Sequence, residues 1–140
     1  MDVQPFQFVP HTADVAAVIC GRDFAALLRN AAGALYSLAV VAPERQTECS
    51  RALEIESVDS DALLVDWLNE LIYYLYVEGL VFKKFSFDRL HEGRLRAVCT
   101  GNRLGVGARG PAREIKAATY HMAHIEGEAG AFSVRIVFDV

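Results

Sequence analysis

The stretch from Ser60 to Glu78 limits the fold more than any other. Leu63, Leu64, Trp67, Leu68, Leu71, Ile72 and Leu75 fall on one broad face of a 3.6-residue spiral, and Asp66, Asn69, Glu70 and Tyr73 cluster on the other. A Ser60 hydroxyl can cap the start, and Asp61 and Asp66 favour the positive end of the helix dipole. Gly79 can take the left-handed conformation that closes a helix. A helix this apolar on one side must lie against something, and the rest of the chain supplies strands. Val81–Leu90, Arg94–Gly101, Glu114–Met122 and Ala131–Phe138 alternate in the manner of half-buried strands, with His91-Glu92-Gly93 and Gly127–Gly130 as hairpin turns.

Upstream the pattern is similar. Gln4 to Pro10 and Val15 to Cys20 read as short strands around a His11–Asp14 turn. Asp23 can cap a first helix in which Phe24, Leu27, Leu28, Ala31, Leu35 and Leu38 recur at helical spacing. Pro43 and the polar run to Ser50 break that helix, and Leu53, Ile55 and Ser57 alternate with charged residues as a further strand. Two helices and about seven strands joined by short turns predict an α+β fold: a compact single domain, residues 1–140, with two helices packed on antiparallel or mixed β-strands in a sandwich-like arrangement.

With 53% hydrophobic and 23% charged residues, the chain is too apolar for disorder. Met1-Asp2-Val3-Gln4-Pro5 has neither the basic nor the apolar region of a signal peptide, and no apolar run reaches the ~18 residues of a membrane span. Cys20, Cys49 and Cys99 are odd in number and widely spaced, which fits a reduced, cytoplasmic setting. The net charge of −4 argues against a dedicated nucleic-acid binder. Its distribution is uneven: nine Lys/Arg against three Asp/Glu between Lys83 and Lys116, and five against fifteen elsewhere. That segregation suggests one surface for an anion and another for a basic partner; the plainer reading is that the long cations solvate exposed strands.

The motifs that carry chemistry are few. Asp14 ends a turn before a strand and Asp139 ends the last strand. If those strands pair, the two carboxylates and an oxygen of Val140 converge into an all-oxygen set suited to Ca²⁺ or Mg²⁺. Taken alone, such residues more often bond local backbone or face water. His121 and His124 point to opposite faces if they share a strand, and no Cys has the spacing to join them in a zinc site. Gly105-Val106-Gly107-Ala108-Arg109-Gly110 matches G-x-G-x-x-G, but Pro111 and an alternating stretch follow it rather than a helix, so it reads as a basic loop. No nucleophile triad can be assembled.

Three segments together carry a family resemblance: His11-Thr12-Ala13-Asp14, the run Val65-Asp66-Trp67-Leu68-Asn69-Glu70-Leu71 continuing to Phe82, and Ile115-Lys116-Ala117-Ala118-Thr119-Tyr120-His121 with a Phe138-Asp139-Val140 end. From about Phe8 onward the chain resembles the archease family. The resemblance implies a non-enzymatic cofactor of the RNA ligase that joins a 3′-phosphate or 2′,3′-cyclic phosphate to a 5′-hydroxyl in tRNA splicing and RNA repair. Such a cofactor promotes GTP-dependent guanylylation of the ligase and its multiple turnover. It also implies a divalent cation, Ca²⁺ or Mg²⁺, on Asp14, Asp139 and Val140, and contact with tRNA only through the ligase. His11, Asp66, Glu70, Arg109 and Lys116 are the candidate partner-binding residues. The alternatives are a general chaperone or specificity module for tRNA-modifying enzymes, or a small metal-dependent phosphoryl-transfer enzyme. The chain departs from the family pattern at Ala108-Arg109-Gly110-Pro111, where a His is common.

Overall fold

A computed structural model describes residues 4–9, 14–39, 48–91, 93–104 and 114–140. Within them the chain runs β1 (Phe6–Val9), β2 (Val15–Gly21), α1 (Phe24–Ala39), β3 (Glu48–Glu56), α2 (Ser60–Tyr73), a π turn (Tyr74–Glu78), β4 (Leu80–His91), β5 (Arg94–Arg103), β6 (Ala117–Thr119), β7 (Glu126–Glu128) and β8 (Ala131–Asp139). The α+β expectation holds: two helices and two antiparallel sheets share one hydrophobic core.

The first sheet has the order β1-β2-β8-β6, with β7 also pairing β8; the second has the order β3-β5-β4. The helices fill the space between them. α1 rests on β1, β2 and β8 and reaches β4; α2 meets β6 on one side and β3 on the other. This explains why α2 is apolar over so wide an arc: Leu63, Leu64, Val65, Trp67, Leu68, Leu71 and Ile72 are all buried. Trp67 ties the layers together. Fully buried, it donates from Nε1 to the Leu28 carbonyl of α1 at 3.0 Å and packs edge-on to Phe85 at 5.3 Å and against Phe87 at 5.8 Å, both on β4.

Asp23 caps α1 as expected, its carboxylate accepting from the Ala26 N–H at 2.8 Å. Gly79 closes the second helical segment at φ 71°, as its position suggested. Four expectations need correction. The cap of α2 is Asp59, which accepts from Ala62 N–H at 2.8 Å, so Ser60 becomes the first helical residue. The helix widens into a π turn before it stops. The strand expected over Glu114–Met122 shrinks to Ala117–Thr119. Gly127 is not a turn residue but the centre of β7, which brings the described strands to eight.

The charge segregation of the sequence is partly cancelled in space. Arg94 and Arg96 of β5 face Glu56 and Glu54 of β3 across the outer surface of the smaller sheet, at 3.2 and 3.7 Å. Exposed pairs like these add little stability, about 0–1 kcal/mol each, but they offset two of the cations in the basic segment, while Lys83, Lys84, Arg89 and Lys116 stay exposed. Among the described residues, no helix is long and apolar enough to cross a membrane.

Candidate functional site

The sequence-distant carboxylates sit at the ends of two paired strands. β2 pairs β8 antiparallel with Val15 opposite Phe138. The ladder ends there; Asp14 is the residue just before β2 and Asp139 the last residue of β8. Facing residues on antiparallel strands stand about 4.5–5.5 Å apart and project to one face. Phe138, Ile136 and Val134 point inward to the helices, so Asp139 projects from the outer face, where it is exposed. The pairing that the sequence posed as a condition is therefore met.

β6 holds the other side of Asp139. Ala117 pairs with it, and the Lys116 N–H donates to the Asp139 carbonyl at 2.8 Å. The Val140 side chain packs against the core, which anchors the residue after Asp139. Asp14, Asp139 and a Val140 oxygen, the candidates named from the sequence, carry only oxygen donors, the chemistry a hard cation prefers over zinc or copper. Among the described residues no group of three or more His, Cys, Asp or Glu is arranged to hold a metal, so any ion here would rest on two carboxylates, main-chain oxygen and water. His11 and Arg109 lie outside the described residues, together with the rest of the His11–Ala13 turn and the Gly105–Gly110 loop.

The polar face of α2 turns out to be a strand clamp. Asn69 Nδ2 donates to the Ala118 carbonyl at 3.0 Å, and its Oδ1 accepts from the Ala118 N–H at 2.8 Å. One carboxamide thus does for the free edge of β6 what a neighbouring strand would do. Asp66, named from the sequence as an exposed partner-binding candidate, is half-buried and receives two hydroxyls, from Ser57 and Tyr120. That bond, with burial and the Asp66 charge adding to it, raises the Tyr120 pKa above its ordinary value. Asp61 accepts from the Ile125 N–H at 2.9 Å and lies 3.0 Å from His124 Nδ1. The Tyr76 hydroxyl accepts from the Ile115 N–H at 2.9 Å. Four side chains of α2 and its π turn therefore fasten the segment between Ile115 and Ile125, with β6 at its centre. Of the remaining candidates, Glu70 is exposed on α2 and Lys116 is exposed just before β6.

Sequence reasoning placed Asn69 on the polar face without a role. Its signal was an amide side chain at the one position of that face where both a donor and an acceptor are needed. The three cysteines are free, and burial pushes the Cys99 thiol up to about 12, which leaves it unreactive at neutral pH.

The fold and this edge define a class: a small three-layer α+β protein whose candidate site is a pair of carboxylates between its second and last strands. The chain belongs to the Archease protein family (MTH1598/TM1083), whose model matches residues 6–140. It is similar to the protein archease of Methanosarcina mazei, with 30% identity covering 96% of this chain and 95% of the relative. Against that of Methanopyrus kandleri the identity is 32%, covering 97% and 99%. The solution structure of Methanobacterium thermoautotrophicum protein 1598 superposes with a TM-score of 0.74 at 28% identity, covering 97% of this chain and 99% of that one. The crystal structure of a Thermotoga maritima archease, described there as a possible chaperone, shares the fold with a TM-score of 0.70 at 24% identity over 94% of each chain.

Proposed function

We propose that this protein is an accessory factor that activates an RNA ligase of the 3′-phosphate/5′-hydroxyl joining type by promoting its GTP-dependent guanylylation and multiple turnover, and that it does not join RNA itself. Membership of the archease family supports this reading, and one observation carries it: β2 pairs β8 antiparallel, so the start of the strand after Asp14 and the end of the strand that carries Asp139 meet. In the proposed role, a Ca²⁺ or Mg²⁺ ion held by Asp14, Asp139 and a Val140 oxygen would supply positive charge to phosphate oxygens at the ligase centre. Residues of this chain would steady such an ion: β6 and the Lys116–Asp139 bond hold the strand end, and Asn69 holds β6. A cation also relieves the repulsion between two neighbouring carboxylates. Contact with tRNA runs through the ligase.

The test has two arms. Labelled GMP transfer to the ligase is measured with sub-stoichiometric amounts of this protein; acceleration over many turnovers is expected, with no joining by the protein alone. Separately, calcium at a hundredfold excess over Kd should add about 2.7 kcal/mol of stability, read by thermal melting, because a site made by strand pairing exists only in the folded state. Asp14→Asn or Asp139→Asn should remove that rise and the activation together. Absence of acceleration by wild type overturns the activator reading and favours the chaperone one, in which refolding yield of RNA-modifying enzymes is the quantity that changes. Full calcium binding in both Asn variants overturns the ion assignment.

A further inference from the structure

Gly101 sits on β5 where β4 passes too closely for any side chain. A Cβ there would lie 1.8 Å from the Val81 carbonyl oxygen and 2.6 Å from the Phe82 Cα. The register slips at this point: Phe82 pairs with Gly101 and Lys84 with Thr100, so Lys83 is the extra residue of a β-bulge. A bulge re-aims a side chain that strict alternation would send elsewhere. Phe82 is buried in the core and Lys84 is exposed on the outer surface of the smaller sheet. Lys83, also exposed, lines a cleft between β4 and α1.

That cleft has a volume of about 370 Å³, inside the usual span of small-ligand sites, roughly 300–1,000 Å³. Its walls include the half-buried rings of Tyr36 and Phe85. The Tyr36 hydroxyl is shut off from solvent, so the exposed part of this side chain is ring carbon. Arg29 of α1 brings a second cation. Its Nη2 donates to the Phe85 carbonyl at 3.3 Å, and its guanidinium lies 5.0 Å from the Phe87 ring centroid. Those contacts hold it beside β4 while it stays exposed, so little side-chain freedom is left to lose on meeting a ligand. Ser37 adds an exposed hydroxyl. Among the described residues no Asp or Glu lines the cleft, and Lys83 makes no ion pair. Two uncancelled cations therefore meet an aromatic wall in a chain whose net charge is −4.

We propose that this cleft binds a mononucleotide, with the base against the Tyr36 and Phe85 rings and the phosphates between Arg29 and Lys83. Guanidinium and ammonium groups form charge-assisted hydrogen bonds to phosphate oxygens, and a base stacks on an aromatic face. Inorganic phosphate would use the cations and leave the rings bare; a nucleotide uses both. Such binding needs no ligase, so it stands or falls separately from the activator reading.

The experiment is a fluorescence titration of the intact protein with N-methylanthraniloyl-GTP. Unlabelled ATP, guanosine, pyrophosphate and a short single-stranded RNA serve as competitors. EDTA in the buffer keeps the Asp14/Asp139 carboxylates from acting through a metal. Saturable binding that weakens with salt is expected, with guanosine and pyrophosphate each competing at least tenfold more weakly than ATP. Lys83→Glu should weaken the labelled nucleotide at least tenfold at an unchanged melting temperature, because the side chain is exposed and without an ion pair among the described residues. Arg29→Gln should weaken it in the same direction. No binding by wild type overturns the proposal, as does unchanged affinity in both variants. Pyrophosphate competing as well as ATP makes the cleft an anion site with no place for a base, and RNA competing where ATP fails makes it a strand contact. Either result overturns the mononucleotide assignment and leaves the GMP-transfer test of the activator reading untouched.

Discussion

Replacing Asn69 should test the whole chain of reasoning from helix to ion site, because its carboxamide is the link between α2 and β6. Asn69→Ala removes hydrogen bonds of 3.0 and 2.8 Å to the carbonyl and N–H of Ala118. A well-made bond contributes about 0.5–1.5 kcal/mol net, and an unsatisfied buried group costs about 1–3 kcal/mol. Ala118 is 3% exposed, so the second regime applies in part, and a loss of about 2–4 kcal/mol is expected. Urea unfolding measures it, and hydrogen exchange at the Ala118 amide localises it. Asn69→Asp sharpens the test: a carboxylate can still accept from the N–H but opposes the carbonyl with a second acceptor. It should be at least as damaging at neutral pH. Burial against a carbonyl raises the pKa of that Asp in the folded state, so stability should return as pH falls and the protonated form can donate. A loss below about 0.5 kcal/mol with unchanged Ala118 exchange would refute the clamp, and with it the argument that α2 positions Asp139.

Two further outcomes follow from the described contacts. Trp67→Ala empties a fully buried site and orphans the Leu28 carbonyl from its indole donor, so a loss of about 3–5 kcal/mol is expected in the same urea assay; an unchanged midpoint would contradict its burial between α1 and β4. Tyr120, whose pKa is raised chiefly by its hydrogen bond to Asp66, should lose its proton at higher pH than a free tyrosine. Its contribution to stability should be intact below about pH 10 and disappear above it. Ultraviolet titration of wild type against Tyr120→Phe isolates this group, and an unshifted difference curve would remove the Asp66 link.

Where local chemistry decided a feature, the sequence showed it. The Asp23 cap, the apolar faces of both helices and the left-handed Gly79 depend on residues a few positions apart. Asp59 and Ser60 are both good caps side by side, and only the helix position decides that Asp59 is used. Glu114–Met122 alternates like a long strand, yet Asp66, Asn69 and Tyr76 draw that segment's groups toward the helix and leave three residues to pair with β8. β7 was invisible because Glu126, Gly127 and Glu128 are all exposed and give no alternation. The candidate site was half legible: the carboxylates could be named, but their meeting depends on β2 finding β8, which no local pattern encodes.

The same dependence governs how the protein would respond to the proposed cation. Asp14 and Asp139 lie near opposite ends of the sequence, and the strand ends beside them meet only once β8 has inserted between β2 and β6. Closing so long a loop costs entropy that only the finished sheet repays. The unfolded chain therefore offers no preformed site, and the ion's binding energy acts almost wholly on the folded state. The proposed ion would act between two carboxylates, beside a strand, β6, that contributes only three paired residues. Calcium should accordingly slow exchange of the Lys116 and Ala118 amides more than that of amides in α1. Equal slowing everywhere would mean that the cation stabilises the protein only globally. No slowing at β6 would mean that it binds elsewhere.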